Sequence, residues 1–446
     1  MVKGPLFGCR MCGNCLLQET ALICPMECPK GMRNGPCGGS TPQKCYVDET
    51  RPCIWYKIYE RAFRKGREEL LLEVLPPLDW DKVGTETWGD VVRSARKYGT
   101  WKFLKSRFSR DREAKSDAWE SVFRTVRQPE WWKGDSKFHP PAYDEPLSNL
   151  EKELRSGKFV ITAEVSPPLS TATGKLKRDI EMMKELVAAV NFTDSASASP
   201  RMSSMACSKV AAELGVDPVL QIAARDKTRS GLQSDIVGAN IMGVHNVLCI
   251  TGDNARIGPT PTSNTNILDM DAVQMLWILR RMRDEGIYLD GRKMKSPPRL
   301  FLGAAASPFA SEPRFQALRE EKKINAGAQF FQTNLIYDPE GLDLWLEALD
   351  RRNILDKVYI LAGVTPIRSK RMAEYLHYTI PGVTIPKKIL DRFEDAREDD
   401  YEELGVEIVL DIIDRIRSKK GINGLHLMSV GWEAIVPRII SEAGLS

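Results

Sequence analysis

The sequence predicts an α/β protein, a TIM (β/α)8 barrel with an N-terminal cysteine-rich metal-binding domain. Three observations predict it. Eight of the ten cysteines fall within the first 53 residues. Beyond residue 150, short apolar segments alternate with long amphipathic ones, the pattern of parallel strands joined by helices. Those apolar segments number eight, the count that closes a barrel. With 446 residues and 42% hydrophobic content, the chain can bury one large core and carry a smaller module. Three regions are expected: a cysteine-rich module over 1–60, a helical connector packing on the barrel over 61–150, and the barrel over 151–446.

In the module, Cys9, Cys12 and Cys15 form CxxCxxC, three thiolates in one tight loop. That spacing suits a 4Fe-4S cubane whose fourth ligand comes from farther along. Cys24, Cys28, Cys37, Cys45 and Cys53 leave sulfur for a second site. One or two iron-sulfur clusters are expected, with zinc as the alternative, because four thiolates also make a closed tetrahedral zinc site. Disulfides are disfavoured: Met1–Gly8 holds no apolar run of signal-peptide kind, so a reducing cytoplasm is expected.

The connector is punctuated by Pro76-Pro77, Trp131-Trp132 and Pro140-Pro141. It also carries a basic run, Arg93, Arg96, Lys97, Lys102, Lys105, Arg107, Arg110 and Arg112 against the single acid Asp111, interleaved with Tyr98, Trp101, Phe103 and Phe108. RNA or an anionic membrane could use such a patch, as could solvent with the aromatics buried. No nucleic-acid motif accompanies it, and the balance of 64 Lys plus Arg against 60 Asp plus Glu is nearly even. A solvated face or a docking surface for an acidic protein is therefore the reading, with no nucleic-acid partner. A membrane span is excluded because no stretch approaches ~20 uninterrupted apolar residues.

The expected strands are 159–164, 190–193, 219–222, 246–251, 300–305, 330–334, 358–364 and 424–428. Helices fit between them; 176–189, for example, puts Ile180, Met183, Leu186 and Val187 on one face. A doubly wound sheet is the competitor, but no GxGxxG follows the first strand. Cys207 and Cys249 read as packing residues. His139, His245, His377 and His426 show no metal spacing and receive no role.

Barrel chemistry sits at the carboxyl ends of strands, which here present Glu164, Thr193, Gln221, Asp253 and Asn334. Val-Ser-Pro-Pro follows Glu164 and forces the chain out of the sheet, leaving a carboxylate among apolar neighbours. Burial there raises a carboxyl pKa towards general-acid duty; a carboxylate capping a backbone amide is the plainer alternative. Asp253 closes Thr251-Gly252-Asp253, where glycine lets backbone approach a flat ligand and the acid can bind a heterocycle's donors, or simply form a turn. Phe331-Gln332-Thr333-Asn334 adds amides that present donor and acceptor together to a pterin-like ring.

Over roughly 150–446 these residues resemble the methylenetetrahydrofolate reductase family. Ala-Glu-Val-Ser-Pro-Pro at 163–168 is similar to its first-strand Glu-Pro-Pro segment, and Thr251-Gly252-Asp253 to its Arg/Thr-Gly-Asp turn. The resemblance implies Glu164 as catalytic acid and Asp253 beside flavin and folate. It further implies flavin contacts from Thr193, Gln221, Thr251, Gly252, Asp253 and Lys323, and substrate contacts from Glu164, Asp253, Asn334 and Tyr375. Gln221 stands where better-known members carry a flavin-contacting histidine, residues 304–310 lack the tyrosine and histidine that hold the adenosine half of FAD, and Leu268 replaces a tyrosine. FAD or FMN is thus implied. The first 60 residues resemble the cysteine-rich partner found with reductases of this family in anaerobes and acetogens, and Gly-Leu-His-Leu-Met-Ser-Val-Gly-Trp-Glu at 424–433 is similar to that lineage of reductases.

The implied reaction interconverts 5,10-methylenetetrahydrofolate and 5-methyltetrahydrofolate. Electrons would come from a protein donor, a ferredoxin or dehydrogenase subunit, through the clusters, or from NAD(P)H. Rival readings are a folate-dependent methyltransferase barrel serving a corrinoid protein, and a non-catalytic folate-binding electron relay. An oligomer is expected.

Overall fold

The computed structural model describes residue 4 and residues 7–85, 87–109, 131–132, 134–262, 268–380 and 382–445. Arg110, Asp111 and Arg112 lie outside the described residues, and only the backbone of Arg107 and Phe108 is described. Among the described residues, the helices that precede the sheet are α1 (Ile54–Arg64), α2 (Trp88–Tyr98), α3 (Thr100–Phe108) and α4 (Asn149–Arg155). The alternating part then runs β1 (Val160–Val165), α5 (Gly174–Met183), β2 (Ala189–Phe192), α6 (Ser204–Glu213), β3 (Pro218–Ala223), α7 (Arg229–Ile241), β4 (Asn246–Ile250) and α8 (Ala272–Asp284). It continues as β5 (Phe301–Ala306), α9 (Pro313–Ala326), β6 (Phe330–Leu335), α10 (Pro339–Arg351), β7 (Tyr359–Val364), α11 (Lys370–Tyr378), α12 (Lys387–Asp395), α13 (Tyr401–Ile416), β8 (Ile422–Met428) and α14 (Val436–Glu442).

The strands form one closed parallel barrel in sequence order, β8 returning to β1 with Val160 beside Gly424 and Glu164 beside Met428. Each expected strand is present within two residues of its predicted bounds. At the amino-terminal mouth α4 acts as a plug. Leu150 and Leu154 are buried with Val160, Val219, Leu248, Phe301, Phe330 and Leu361 inside the barrel. Ser148 caps α4 by accepting from the Glu151 N–H at 3.1 Å, and the Leu150 N–H donates to Asp217 at 2.9 Å. With the bottom filled by side chains, a ligand can enter only at the carboxyl-terminal mouth.

That mouth is covered by the cysteine-rich segment. Beyond a short 3-10 turn at Pro25–Glu27, residues 8–53 are irregular, as the glycine, proline and cysteine content predicts. The chain passes position 60 inside α1, whose Trp55, Tyr56, Ile58, Tyr59 and Ala62 pack with Leu71, Leu72 and with Phe315 and Leu318 of α9. The module therefore shares an apolar core with the barrel wall.

A buried polar latch fixes the rest. Asp271, 1% exposed, caps α8 by accepting from the Gln274 N–H at 3.1 Å, and it also accepts from the Arg33 N–H at 3.2 Å and Asn34 Nδ2 at 3.0 Å. Asn34 and the Leu75 backbone exchange two further bonds, at 2.7 and 3.1 Å. Asp271→Ala would strand these donors in a dry interface, so a loss of roughly 3 kcal/mol is expected. Thermal unfolding should report it, with protease cleavage appearing first within residues 8–53; an unchanged melting temperature and cleavage pattern would contradict the latch.

Candidate functional site

A cavity of about 400 Å3 opens at the carboxyl ends of the strands, within the range of small-molecule sites. The barrel contributes Glu164, Gln221, Thr251, Gly252, Asp253, Lys323 and Asn334 to its wall, so seven residues singled out from sequence converge on one space. Thr193 and Tyr375 are outside that wall. Tyr375 sits on α11, 51% exposed, within electrostatic reach of Tyr46.

Glu164 projects from the end of β1. Burial pushes its carboxyl up to about 7, against a hydrogen bond from Gln221 that favours the anion and with the negative Glu433 adding to the rise. Glu433 is itself held by Lys175 at 2.8 Å and the Ser166 N–H at 3.3 Å. Below Glu164 lies a polar layer: Asn191 and Gln332 pair through their amides, Gln332 Nε2 reaches Thr162 Oγ1 at 3.3 Å, and Thr162 Oγ1 is 3.0 Å from His426 Nδ1. His426 Nε2 comes within 4.0 Å of Glu164, and burial pushes its pKa down to about 3, so the imidazole is neutral. Sequence reasoning gave His426 no role. The signal was its alternation with Met428, which turns both inward on β8.

Asp253 is gripped from two sides. Its Oδ2 accepts from the Ser197 N–H at 2.9 Å, in a loop where Ser195, Ser197 and Ala198 have φ of 49°, 55° and 54°. Three non-glycine residues in the left-handed region are costly, and here they aim an amide at a carboxylate. Its Oδ1 accepts from the Tyr46 hydroxyl at 3.3 Å. Gly252, at φ +80°, lies where a Cβ would sit 2.9 Å from Ala223 Cβ, and its carbonyl accepts from Lys30.

Tyr46 and Lys30 belong to the cysteine-rich segment, which with Gly35, Gly38 and Gly39 forms the roof of the cavity. The Tyr46 ring lies on Gly39, whose Cβ would fall 2.7 Å from it, and its N–H donates to Ser40 Oγ at 3.1 Å. These residues were missed because the cysteines drew the whole segment into a metal-binding role; a tyrosine beside Cys45, after a glycine pair, was the available signal.

At β6 the register shifts between Gln332 and Leu335, and Thr333 Oγ1 takes the Gly363 N–H at 2.8 Å in place of a ladder bond. Asn334 follows, its Oδ1 accepting from the Leu335 N–H at 2.9 Å. Lys323, on α9, is buried in bonds to Glu320 and the Ala305 carbonyl, both 2.6 Å, and desolvation lowers its pKa to about 8. Arg319, one turn earlier, also lines the cavity.

Seven of the eight N-terminal cysteines fall into two neighbourhoods, and Cys45 is buried beside them in sequence with its N–H on the Arg51 carbonyl. Cys9, Cys12, Cys15 and Cys24 surround a small cavity of about 20 Å3 that Thr85 and Thr87 also line. Cys28, Cys37 and Cys53 interact electrostatically with one another, and Cys37 lies in the roof of the large cavity. Burial pushes the Cys28 and Cys53 thiols up to about 12 and about 11. Buried Arg33 hydrogen-bonds Cys12 and supplies positive charge there. The donor set of each neighbourhood fits a thiolate-bound metal or cluster in kind, although among the described residues no three His, Cys, Asp or Glu side chains already stand at metal-binding geometry. Cys207 and Cys249 are buried in the barrel core, as packing residues should be.

Residues 149–444 match the family described as methylenetetrahydrofolate reductase. The chain belongs to that family. Residues 1–81 match a second family, described as methylene-tetrahydrofolate reductase C terminal. Methylenetetrahydrofolate reductase 2 of Schizosaccharomyces pombe is 29% identical over 135 residues, 28% of this chain and 20% of the relative. Methylenetetrahydrofolate reductase 1 of the same yeast is 28% identical over 129 residues, with the same coverage. The matched stretch thus spans a fifth of each curated relative. Among solved structures, a Clostridium thermocellum protein described as binding two copies of 5-methyl-5,6,7,8-tetrahydrofolic acid aligns at TM-score 0.44 and 15% identity, covering 66% of this chain and 98% of its own. No helix among the described residues of this reductase-family chain is long and apolar enough to cross a membrane.

Proposed function

We propose that this chain interconverts 5,10-methylenetetrahydrofolate and 5-methyltetrahydrofolate at the roofed barrel mouth. The observation that carries the reading is Glu164, a carboxyl raised to about 7 at the base of a cavity that also holds Asp253 and Asn334. A bridging methylene accepts hydride only after the imidazolidine ring opens to an N5 iminium, and that opening needs a proton on N10. Glu164 holds such a proton near neutral pH. Gln221 orients it, and the apolar strand end keeps it from ionising. Asp253, fixed by Ser197 and Tyr46, would set negative charge beside the N5 cation. Asn334 would align the pterin edge, and the roof would exclude water.

A bound flavin would supply the hydride, its chemistry being the cofactor's own. Gln221, Thr251, Gly252, Lys323 and Arg319 would hold it, with Thr193 and Tyr375 at the margins. Gly38 packs over Ser307 and Arg319 so closely that a Cβ would lie 3.2 Å from Ser307 Oγ. The roof thus lies over Ser307, within the 304–310 segment where the family resemblance would put adenosine, which supports FMN over FAD. Cys9, Cys12, Cys15 and Cys24 would hold one cluster, and Cys28, Cys37, Cys45 and Cys53 a second metal or cluster. Cys37, shared between the second set and the roof, supports electron entry from that side.

The test is flavin, iron, zinc and sulfide analysis of anaerobically purified protein, followed by addition of 5-methyltetrahydrofolate. The expected result is bound FMN that bleaches on addition, with at least four irons per chain. Protein that binds neither flavin after reconstitution would sink the reading and favour a methyltransferase barrel.

A further inference from the structure

The α2–α3 hairpin is absorbed by none of the chemistry above. Its exposed cations are Arg93, Arg96, Lys97, Lys102 and Lys105, and Asp90 is the one carboxylate between residues 88 and 108. Asp90 is paired with Arg93, which leaves the field strongly positive. Between the cations Trp101 stands 85% exposed and Leu104 41% exposed. Lys102 lies over the Tyr98 ring at 5.0 Å. A tryptophan this exposed on a helix, ringed by charge, has the make-up of an interface anchor rather than of a solvated face.

Its position adds a second, independent observation. The strand bridge between Cys12 and Thr85, and the bond from the Gly84 N–H to the Met11 carbonyl at 2.8 Å, tie the start of this region to the CxxCxxC loop. Thr85 and Thr87 line the cavity of Cys9, Cys12, Cys15 and Cys24, and Thr87 immediately precedes α2. A body seated on the hairpin is therefore seated on the segment that runs directly from the cavity of those four thiols.

We propose that the α2–α3 hairpin is the docking face for an acidic electron-carrier protein, which would deliver electrons at the first cysteine set. The carrier's chemistry rests on the reductase reading; the acidic character of the partner rests on the hairpin's charge alone. Each turnover takes one electron from each of two reduced carriers, and two protons. The N10–methylene bond breaks, one C–H bond forms to make the methyl group, and N10 gains a proton.

The experiment uses the full chain, loaded with its cofactors, and a small acidic two-cluster ferredoxin as probe. Binding is measured by titration calorimetry at low and high salt for the native chain and for a Trp101→Ala/Lys102→Glu/Lys105→Glu variant. Low-salt binding that weakens at least about tenfold on adding salt, and by a similar factor in the variant, is expected. Ferredoxin that does not bind at low salt, or binds the variant equally well, overturns the proposal. So does loss, in the variant, of binding to single-stranded RNA or anionic vesicles that the native chain holds more tightly than ferredoxin. Methyl viologen as a small donor separates the two readings. The variant should reduce methylenetetrahydrofolate with it at the native rate, whereas a native chain inactive with methyl viologen would count against the reductase reading and leave the ferredoxin titration to decide docking.

Discussion

Glu164→Gln should lower kcat for methylenetetrahydrofolate reduction by about 10³-fold while leaving bound flavin and the KM for folate within a few-fold, because glutamine keeps the shape and the Gln221 contact but has no proton to give. The pH dependence has a definite sign. With its carboxyl raised to about 7, Glu164 is protonated below that pH and ionised above it. The reductive rate should therefore hold below about 7 and fall as pH rises through it. In the reverse direction, where the anion must take the proton back, the limb should invert. Stability follows the same group: the folded chain binds this proton at pH values where the unfolded chain has lost it, so the contribution is present at low pH and lost as pH rises through the folded value. Glutamine has no such cost, and the variant should gain stability relative to the native chain at alkaline pH. Stopped-flow flavin oxidation by the folate, read across pH 5.5–8.5 (about one and a half units either side of the Glu164 value), measures the rate limb. A native profile flat across that range, or a variant within tenfold of native, would remove Glu164 from the acid role.

How much of this was legible in the sequence depends on the range over which each residue acts. The strands were readable because short, nearly continuous apolar runs, buried on both faces, encode a local fact. Residues at strand ends followed from the topology: once the barrel is assumed, Glu164, Gln221, Asp253 and Asn334 must share one mouth. The amino-terminal plug was not legible, because nothing in Asn149–Arg155 distinguishes a helix inside the barrel mouth from one lying on its flank. Nor was the roof. Lys30 meets Gly252 across 222 residues, and Tyr46 meets Asp253 across 207. Such contacts leave no periodic trace and follow only from how an irregular, cysteine-rich segment drapes over the rim. His426 fell between these cases, with an inward register that was visible and a partner, Glu164, that was not.

The roof makes Asp253 the second sensitive point. Asp253→Asn removes the negative charge placed for the N5 cation and should lower kcat about 10²-fold. Tyr46→Phe removes only a hydroxyl, and its ring still rests on Gly39. Because that hydroxyl acts on the chemistry through the carboxylate it holds, this variant should lose about tenfold in kcat with little change in KM. Two residues joined by one hydrogen bond do not contribute independently. The double variant should therefore be no slower than Asp253→Asn alone, since the hydroxyl has nothing left to position. Strictly multiplicative losses, giving about 10³-fold, would mean that Tyr46 reaches the folate or flavin by a route of its own. A Tyr46→Phe variant with native kcat would reduce the contact to packing between roof and barrel. The coupled outcome alone makes the cysteine-rich segment part of the folate site as well as its cover, and it would explain why a glycine pair and a tyrosine sit between Cys37 and Ile54 in a stretch otherwise devoted to sulfur.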